Sequence, residues 1–182
     1  MTAIGIIGHH YNPAEMDART QSHRKDTKHF DKIFLVVYIP LVVIQPALAS
    51  LDVVRFHWSL MPFWLVYIGA ILFALAMALI TWVLCVNPFA EVTVRIQTNR
   101  GHTVVTSRPY RFVRHPMYIG AFLIFLGMPL VLGSVWALIL SMVIVALMIW
   151  RTSREDQTLR QELAGYEQYA AVTRYRLLPG VW

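Results

Sequence analysis

From His115 to Trp150 the chain runs for 36 residues without one Asp, Glu, Lys or Arg. An ordinary soluble domain draws roughly a quarter of its residues from those four types, so so long a gap does not fit a water-facing surface. Gly133 and Ser134 stand near the middle of the stretch and supply a turn. The stretch therefore predicts a helical hairpin, Met117–Leu132 and Val135–Trp150, that returns to the side it left. Each arm is short against the roughly 20 residues usual for a bilayer span. Two further apolar runs lie upstream. Ile33–Leu51 is interrupted only by Pro40, Gln45 and Pro46, and Phe63–Val86 is a clean run of 24 residues. At 1.5 Å per residue the second is about 36 Å long, enough to cross a membrane with some tilt. The prolines of the first predict kinks, which neighbouring helices tolerate in lipid.

Composition agrees with the runs. Of 182 residues, 57% are hydrophobic and 14% charged, and a chain this small cannot hide so much apolar surface in a single soluble core. Disorder is excluded for the same reason, because it needs low hydrophobicity. The expected class is an all-α integral membrane protein with about four transmembrane helices, including the C-terminal hairpin. A cytoplasmic loop and a C-terminal amphipathic helix complete it. The single cysteine, Cys85, excludes a disulfide framework and a Cys-based zinc site.

The net charge of +6 is informative through its distribution. Of 16 basic residues, five lie in 1–32, five in 87–116 and five in 151–182, while only Arg55 lies between the first two runs. With four crossings the three basic segments share one face, which the positive-inside rule makes cytoplasmic, termini included. The basicity is topogenic, and nucleic-acid binding loses its support. Three regions follow: a polar N-terminal arm over 1–29, two transmembrane helices within 30–86, and a region over 87–182 that holds the loop, the helical hairpin and the C-terminal tail. The arm has no apolar core of the kind a cleavable signal needs. The polar loop from Asn87 to His115 is rich in Val, Thr and Arg and is expected to be structured, with short extended pieces.

Chemistry concentrates in two places. In Arg108-Pro109-Tyr110-Arg111-Phe112-Val113-Arg114-His115-Pro116-Met117-Tyr118-Ile119-Gly120, Pro116 disfavours helix at His115 and suits the first position of the helix that follows. A helix N-terminus beside His115, Arg114 and Arg111 is a place for a carboxylate or phosphate, and an interfacial belt of Arg and Tyr is the plainer alternative. The second place is Arg151-Thr152-Ser153-Arg154-Glu155-Asp156. Arg151 and Glu155 are four apart and share a face if the last hairpin helix continues. A capping box from Thr152 to Glu155, or an ordinary surface ion pair, competes with that reading. Leu159, Leu163, Tyr166 and Tyr169 recur at helical spacing, and Pro179-Gly180 stops any helix. His9 and His10 have no acidic or Cys partner at ligand spacing, so no metal is expected.

These residues resemble a known signature. Gly101-His102-Thr103-Val104-Val105-Thr106-Ser107-Arg108-Pro109-Tyr110-Arg111, then Arg114-His115-Pro116-Met117-Tyr118-Ile119-Gly120, is similar to the isoprenylcysteine carboxyl methyltransferase family, which is related to the phospholipid methyltransferases. The acidic pair Glu155-Asp156 and the tail Gly165-Tyr166, Tyr169, Arg174 and Pro179 agree, so the resemblance covers about residues 87–182. It implies a membrane enzyme, of the compact prokaryotic type, that binds S-adenosyl-L-methionine outside any Rossmann fold. It assigns His102, Thr103, Val104 and Val105 to the adenosine end of the cofactor. Tyr110, His115, Pro116, Met117 and Tyr118 would surround the amino-acid part, with Glu155 on the ammonium. Arg151 would face the substrate and, with Glu155, carry catalysis. The acceptor would be a lipophilic small molecule or a prenylated carboxylate, drawn from the membrane lipid phase. Two departures stand out: Arg108 occupies a position where the family usually has Gly, and the acidic pair is Glu-Asp rather than Glu-Glu. An NADPH-dependent membrane reductase of the sterol type, using Arg108, Arg111 and Arg114 for a 2′-phosphate, and a non-catalytic membrane scaffold are the rival readings.

Overall fold

Apolar runs become helices here because, in lipid, every backbone N–H and C=O must be satisfied within the segment. The computed structural model describes residues 27–91 and 93–182. Five α-helices carry the fold: α1 His29–Ser50, α2 Trp64–Val86, α3 Pro116–Leu132, α4 Val135–Glu162 and the short α5 Tyr166–Val172. No strand occurs among the described residues. The helix α1 runs directly into a π-helical turn, Leu51–Phe56, so that His29–Phe56, α2 and α4 are each long and apolar enough to cross a membrane. The 17-residue α3 is apolar but shorter. The chain is an all-α membrane protein. Residues 1–26 of the predicted arm, with His9 and His10, lie outside the described residues.

The hairpin forms where the charge-free stretch predicts it. Gly133 closes α3 at φ +72°, a left-handed value that suits a residue with no Cβ. Ser134 then caps α4 by accepting a bond from the Ala137 N–H at 3.0 Å. One expectation is corrected. The last hairpin helix does not end at Trp150 but continues to Glu162, because Thr152, Arg151 and Asp156 find buried partners and no breaker interrupts the run. The loop from Asn87 to His115 carries two 3₁₀ turns, Thr98–Arg100 and Arg108–Arg111, with extended backbone at Asn87 and Ser107.

Helix α2 packs on α3, α3 on α4, and α4 on α1. The α2–α3 crossing is the tightest, and glycine makes it possible. A Cβ on Gly127 would stand 2.8 Å from the Gly69 carbonyl oxygen, and one on Gly69 would stand 2.6 Å from the Gly127 oxygen. Neither backbone can yield alone, since small residues are what let membrane helices approach this closely. The α1–α4 contact is polar at three levels. Gln45 donates to Ser141 near mid-membrane. At one end Ser59 and Ser134 both donate to the buried carboxylate of Asp52, and at the other Arg151 Nε donates to Asp31 Oδ1 at 2.6 Å. Each such pair removes a polar group from hydrocarbon and fixes helix register. Pro40 and Pro46 sit inside α1 without ending it.

Gly127→Ala is expected to destabilise the protein by about 1–3 kcal/mol, the usual cost of overpacking a close contact. Thermal unfolding in detergent checks it, with Gly133→Ala as the comparison at a position where no atom lies within 4 Å of the added Cβ and only the positive φ is strained.

Candidate active site

The hairpin and the polar loop meet at one end of the bundle around an open cavity. Its wall comes from the start of α3, the end of α4, α5 and the loop. Ten of the residues singled out by sequence line it: His102, Thr103, Val104, Val105, Tyr110, His115, Pro116, Met117, Tyr118 and Glu155. Arg151 does not. It lies buried behind Tyr118, with its guanidinium 4.7 Å from the Phe34 ring centroid and 5.7 Å from that of Tyr118. Its Nε is held by Asp31.

Pro116 starts α3 as N1, with His115 as the non-helical residue before it. This places His115 and Tyr118 on the cavity wall facing α4, one turn of which supplies Glu155 and Asp156. The two neighbouring acids diverge completely. Glu155 is partly exposed to the cavity, accepts from Tyr118 Oη at 2.6 Å and stands 4.0 Å from His115 Nδ1. Asp156 points the other way and is fully buried. Its Oδ1 accepts from Arg114 Nε at 2.7 Å and Tyr166 Oη at 3.0 Å, with His115 Nε2 at 3.3 Å. Its Oδ2 accepts from Arg176 Nε at 3.0 Å, Arg114 at 3.1 Å and Arg160 Nε at 3.2 Å. Burial, then the Asp156 charge, pushes the Tyr166 hydroxyl far above its ordinary value, so it remains a donor. The capping-box reading does not hold, because Thr152 lies inside α4 and its hydroxyl donates to the Met148 carbonyl at 2.8 Å.

Asp156 thereby ties the tail to the site. Arg114 also donates to the carbonyls of Thr173 and Arg174 at 2.8 and 2.7 Å. The N–H groups of Arg114 and His115 donate to Tyr175 and Arg176. Gly165, at φ +83°, turns the chain between α4 and α5 and so brings Tyr166 and Tyr169 to the cavity. Tyr169 Oη donates to the Tyr110 carbonyl at 2.6 Å. Arg108 holds φ +55°, a left-handed value uncommon outside glycine.

Sequence reasoning missed the opposite wall. Phe89, Ala90, Glu91, Thr93, Val94 and Arg95 line the cavity as well. Glu91 and Arg95 form a nearly fully buried bidentate pair at 2.7 and 2.9 Å. The only local sign is their spacing of four, and none of the described residues from 91 to 95 is helical. The wall is fixed to α1 by Asp31, whose Oδ2 accepts from the Val94 N–H at 2.8 Å. His102 packs on Phe89, ring centroids 4.5 Å apart, and its Nδ1 accepts from the Gln97 N–H at 3.4 Å. Among the described residues no group of three or more His, Cys, Asp or Glu is placed to hold a metal.

Three outcomes follow from this geometry. Asp156→Asn removes one partner from a buried ion cluster and is expected to cost about 3–5 kcal/mol, read by thermal unfolding, together with faster proteolysis of the 173–182 tail. Glu155→Gln, which alters only a cavity-facing group, is expected to leave the melting temperature near the parent value. For His102, burial is the largest influence and holds its pKa below 6.5. The fold prefers the neutral ring, so its contribution is intact above pH 6.5 and lost as pH falls below it. Between pH 7.5 and 5.5 the parent should lose more melting temperature than His102→Gln, and equal losses would exclude this role.

Comparison with known proteins adds one finding. No curated protein matches the chain. The family model described as phospholipid methyltransferase matches residues 64–164. The matched span runs from α2 through the loop and hairpin to just past the end of α4, and so takes in both halves of the cavity wall. It covers more than half of the sequence, and the chain belongs to the phospholipid methyltransferase family of membrane methyltransferases.

Proposed function

We propose that the chain is a membrane methyltransferase that uses S-adenosyl-L-methionine to methylate a lipophilic acceptor. The observation that carries this reading is Glu155, an acid in the cavity wall with a single hydroxyl partner at hydrogen-bond distance, beside a helix start and His115. Such a carboxylate suits an ammonium group, and the helix start suits a carboxylate. An α-amino acid end has both. The Phe89–His102 pair with Val104 and Val105 offers an aromatic and aliphatic surface for the adenosine end. When bound, the cofactor supplies an electrophilic methyl group on a sulfonium. The chain then has to align the acceptor with that methyl group and keep water away. It does so with Tyr118 fixed against Glu155 and with Tyr110, Tyr166 and Tyr169 buried around the cavity. Alignment and desolvation carry such a transfer without a dedicated acid or base when the acceptor is an anion. The basic end carries the cavity, so the site faces the cytoplasm and lipophilic acceptors reach it between helices from the bilayer.

Carboxylate O-methylation, as in the isoprenylcysteine carboxyl methyltransferases, is the finer form of this reading. It needs a cation for the acceptor, and Arg151 is the candidate. Because Asp31 engages Arg151, this form requires Arg151 to turn from Asp31 toward the cavity when acceptor binds. The reductase reading draws no support from the family match, and neither Arg108 nor Arg111 lines the cavity.

Calorimetry with S-adenosylhomocysteine on the detergent-purified protein tests the proposal. Binding is expected, and Glu155→Ala should weaken it at least about tenfold, the weight of one charged hydrogen bond. Arg151→Ala should retain binding and lose methyl transfer. Folded protein that binds NADPH and not S-adenosylhomocysteine would overturn the assignment.

A further inference from the structure

At the cavity end of the bundle each described acidic group other than Glu155 has an Arg or Lys partner. Asp156 takes Arg114, Arg160 and Arg176, Asp31 takes Arg151, Glu91 takes Arg95, and Glu162 and Glu167 take Lys28 and Arg160. Glu155 faces the cavity. Three arginines of the surface there, Arg108, Arg111 and Arg174, are exposed and have no acidic partner among the described residues. They are not scattered. Arg108 and Arg111 bound one 3₁₀ turn. The backbone bonds from Arg114 and His115 to Tyr175 and Arg176 lay the segment carrying Arg174 beside the chain that leaves that turn. Large apolar side chains stand exposed among them: Phe112 at 63%, Val172 at 84% and Leu178 at 56%. Cations without counter-charges, interleaved with apolar side chains that nothing covers, describe a surface at the boundary between headgroups and acyl chains. Residues 1–26 hold three acidic and three basic residues, so that segment brings no net negative charge to neutralise it.

We propose that the Arg108–Phe112 turn and the Val172–Leu178 tail form one binding surface for anionic phospholipid headgroups. Arg108, Arg111 and Arg174 hold the phosphates while Phe112 and Leu178 enter the acyl region. A headgroup seated across the two segments clamps the tail onto the α3 start and so reinforces the same cavity wall that Asp156 secures from within. The surface is distinct from the cavity, since none of these five residues lines it.

The test uses the full chain in phosphatidylcholine nanodiscs, with trace spin-labelled phosphatidylglycerol or spin-labelled phosphatidylcholine. Lipid immobilised at the protein is read by electron paramagnetic resonance. At low salt the labelled phosphatidylglycerol should be enriched severalfold over phosphatidylcholine. The enrichment should fall toward one in 1 M NaCl, because exposed charges are screened over about 3 Å there. It should also fall toward one in the triple variant R108Q/R111Q/R174Q, and be kept in R108K/R111K/R174K. Unlabelled phosphatidylglycerol should raise the melting temperature of the parent and leave that of the glutamine variant unmoved. Equal association of the two lipids with the parent protein would overturn the proposal without any variant. An enrichment that survives in the folded glutamine variant would overturn it too, by placing the anionic lipid elsewhere.

Discussion

One buried carboxylate organises the working end of this protein. Asp156 is fully enclosed, and around it converge Arg114 from the segment before α3, Arg160 from its own helix, Arg176 from the tail, Tyr166 from α5 and His115 at the cavity wall. Burying one carboxylate among three guanidinium groups is costly to desolvate, and it is stable only because every oxygen is met by several donors. Such a cluster tolerates few alternatives. If the tail swings away, Arg176 leaves, and with it the backbone ladder that Arg114 and His115 make to residues 175 and 176. Asp156 is therefore the common fastening of the tail, α5 and the His115 side of the cavity.

Glu155 and Asp156 show how adjacent residues of like charge come to opposite uses. Successive positions on a helix point about 100° apart, so one acid faces the cavity and its neighbour faces the packed side. The side chain that the interior surrounds with cations becomes structural. The other, with one tyrosine hydroxyl at 2.6 Å, keeps capacity for a ligand. A second ion pair repeats the logic at the α1–α4 seam. Asp31 binds Arg151 with one oxygen and the Val94 N–H with the other, so a single side chain at the start of the first helix sets the position of both the last helix and the loop wall.

Much of this was legible in the sequence, and the reason is the bilayer. Charge-free runs dictate helices, Pro116 dictates where α3 begins, and Gly133 dictates the hairpin turn. Each is a local rule that needs no knowledge of partners. The ten cavity residues were legible through their resemblance to a family signature, not through periodicity. What escaped was long-range and polar. Asp31 and Arg151 are 120 positions apart, and Arg114 and Asp156 are 42 apart, and no local pattern announces such pairs. The extent of α4 escaped for the same cause. A charged stretch after an apolar one looks like an exit into water, yet here Arg151, Thr152 and Asp156 are buried and the helix runs on. The Glu91–Arg95 wall escaped because a spacing of four suggests a helix face, while the described residues there are not helical.

The continuity of α4 makes the protein a ruler. Its 28 residues amount to about 42 Å of rod at 1.5 Å per residue, against a hydrocarbon core of about 30 Å. The surplus is the part that carries the site, and it is joined to the membrane-crossing part without a hinge. Glu155 therefore rides about 7.5 Å of helix beyond Trp150, wherever the bilayer sets that tryptophan. Bilayer thickness therefore moves the cavity only together with Trp150, since no break in the helix separates the two.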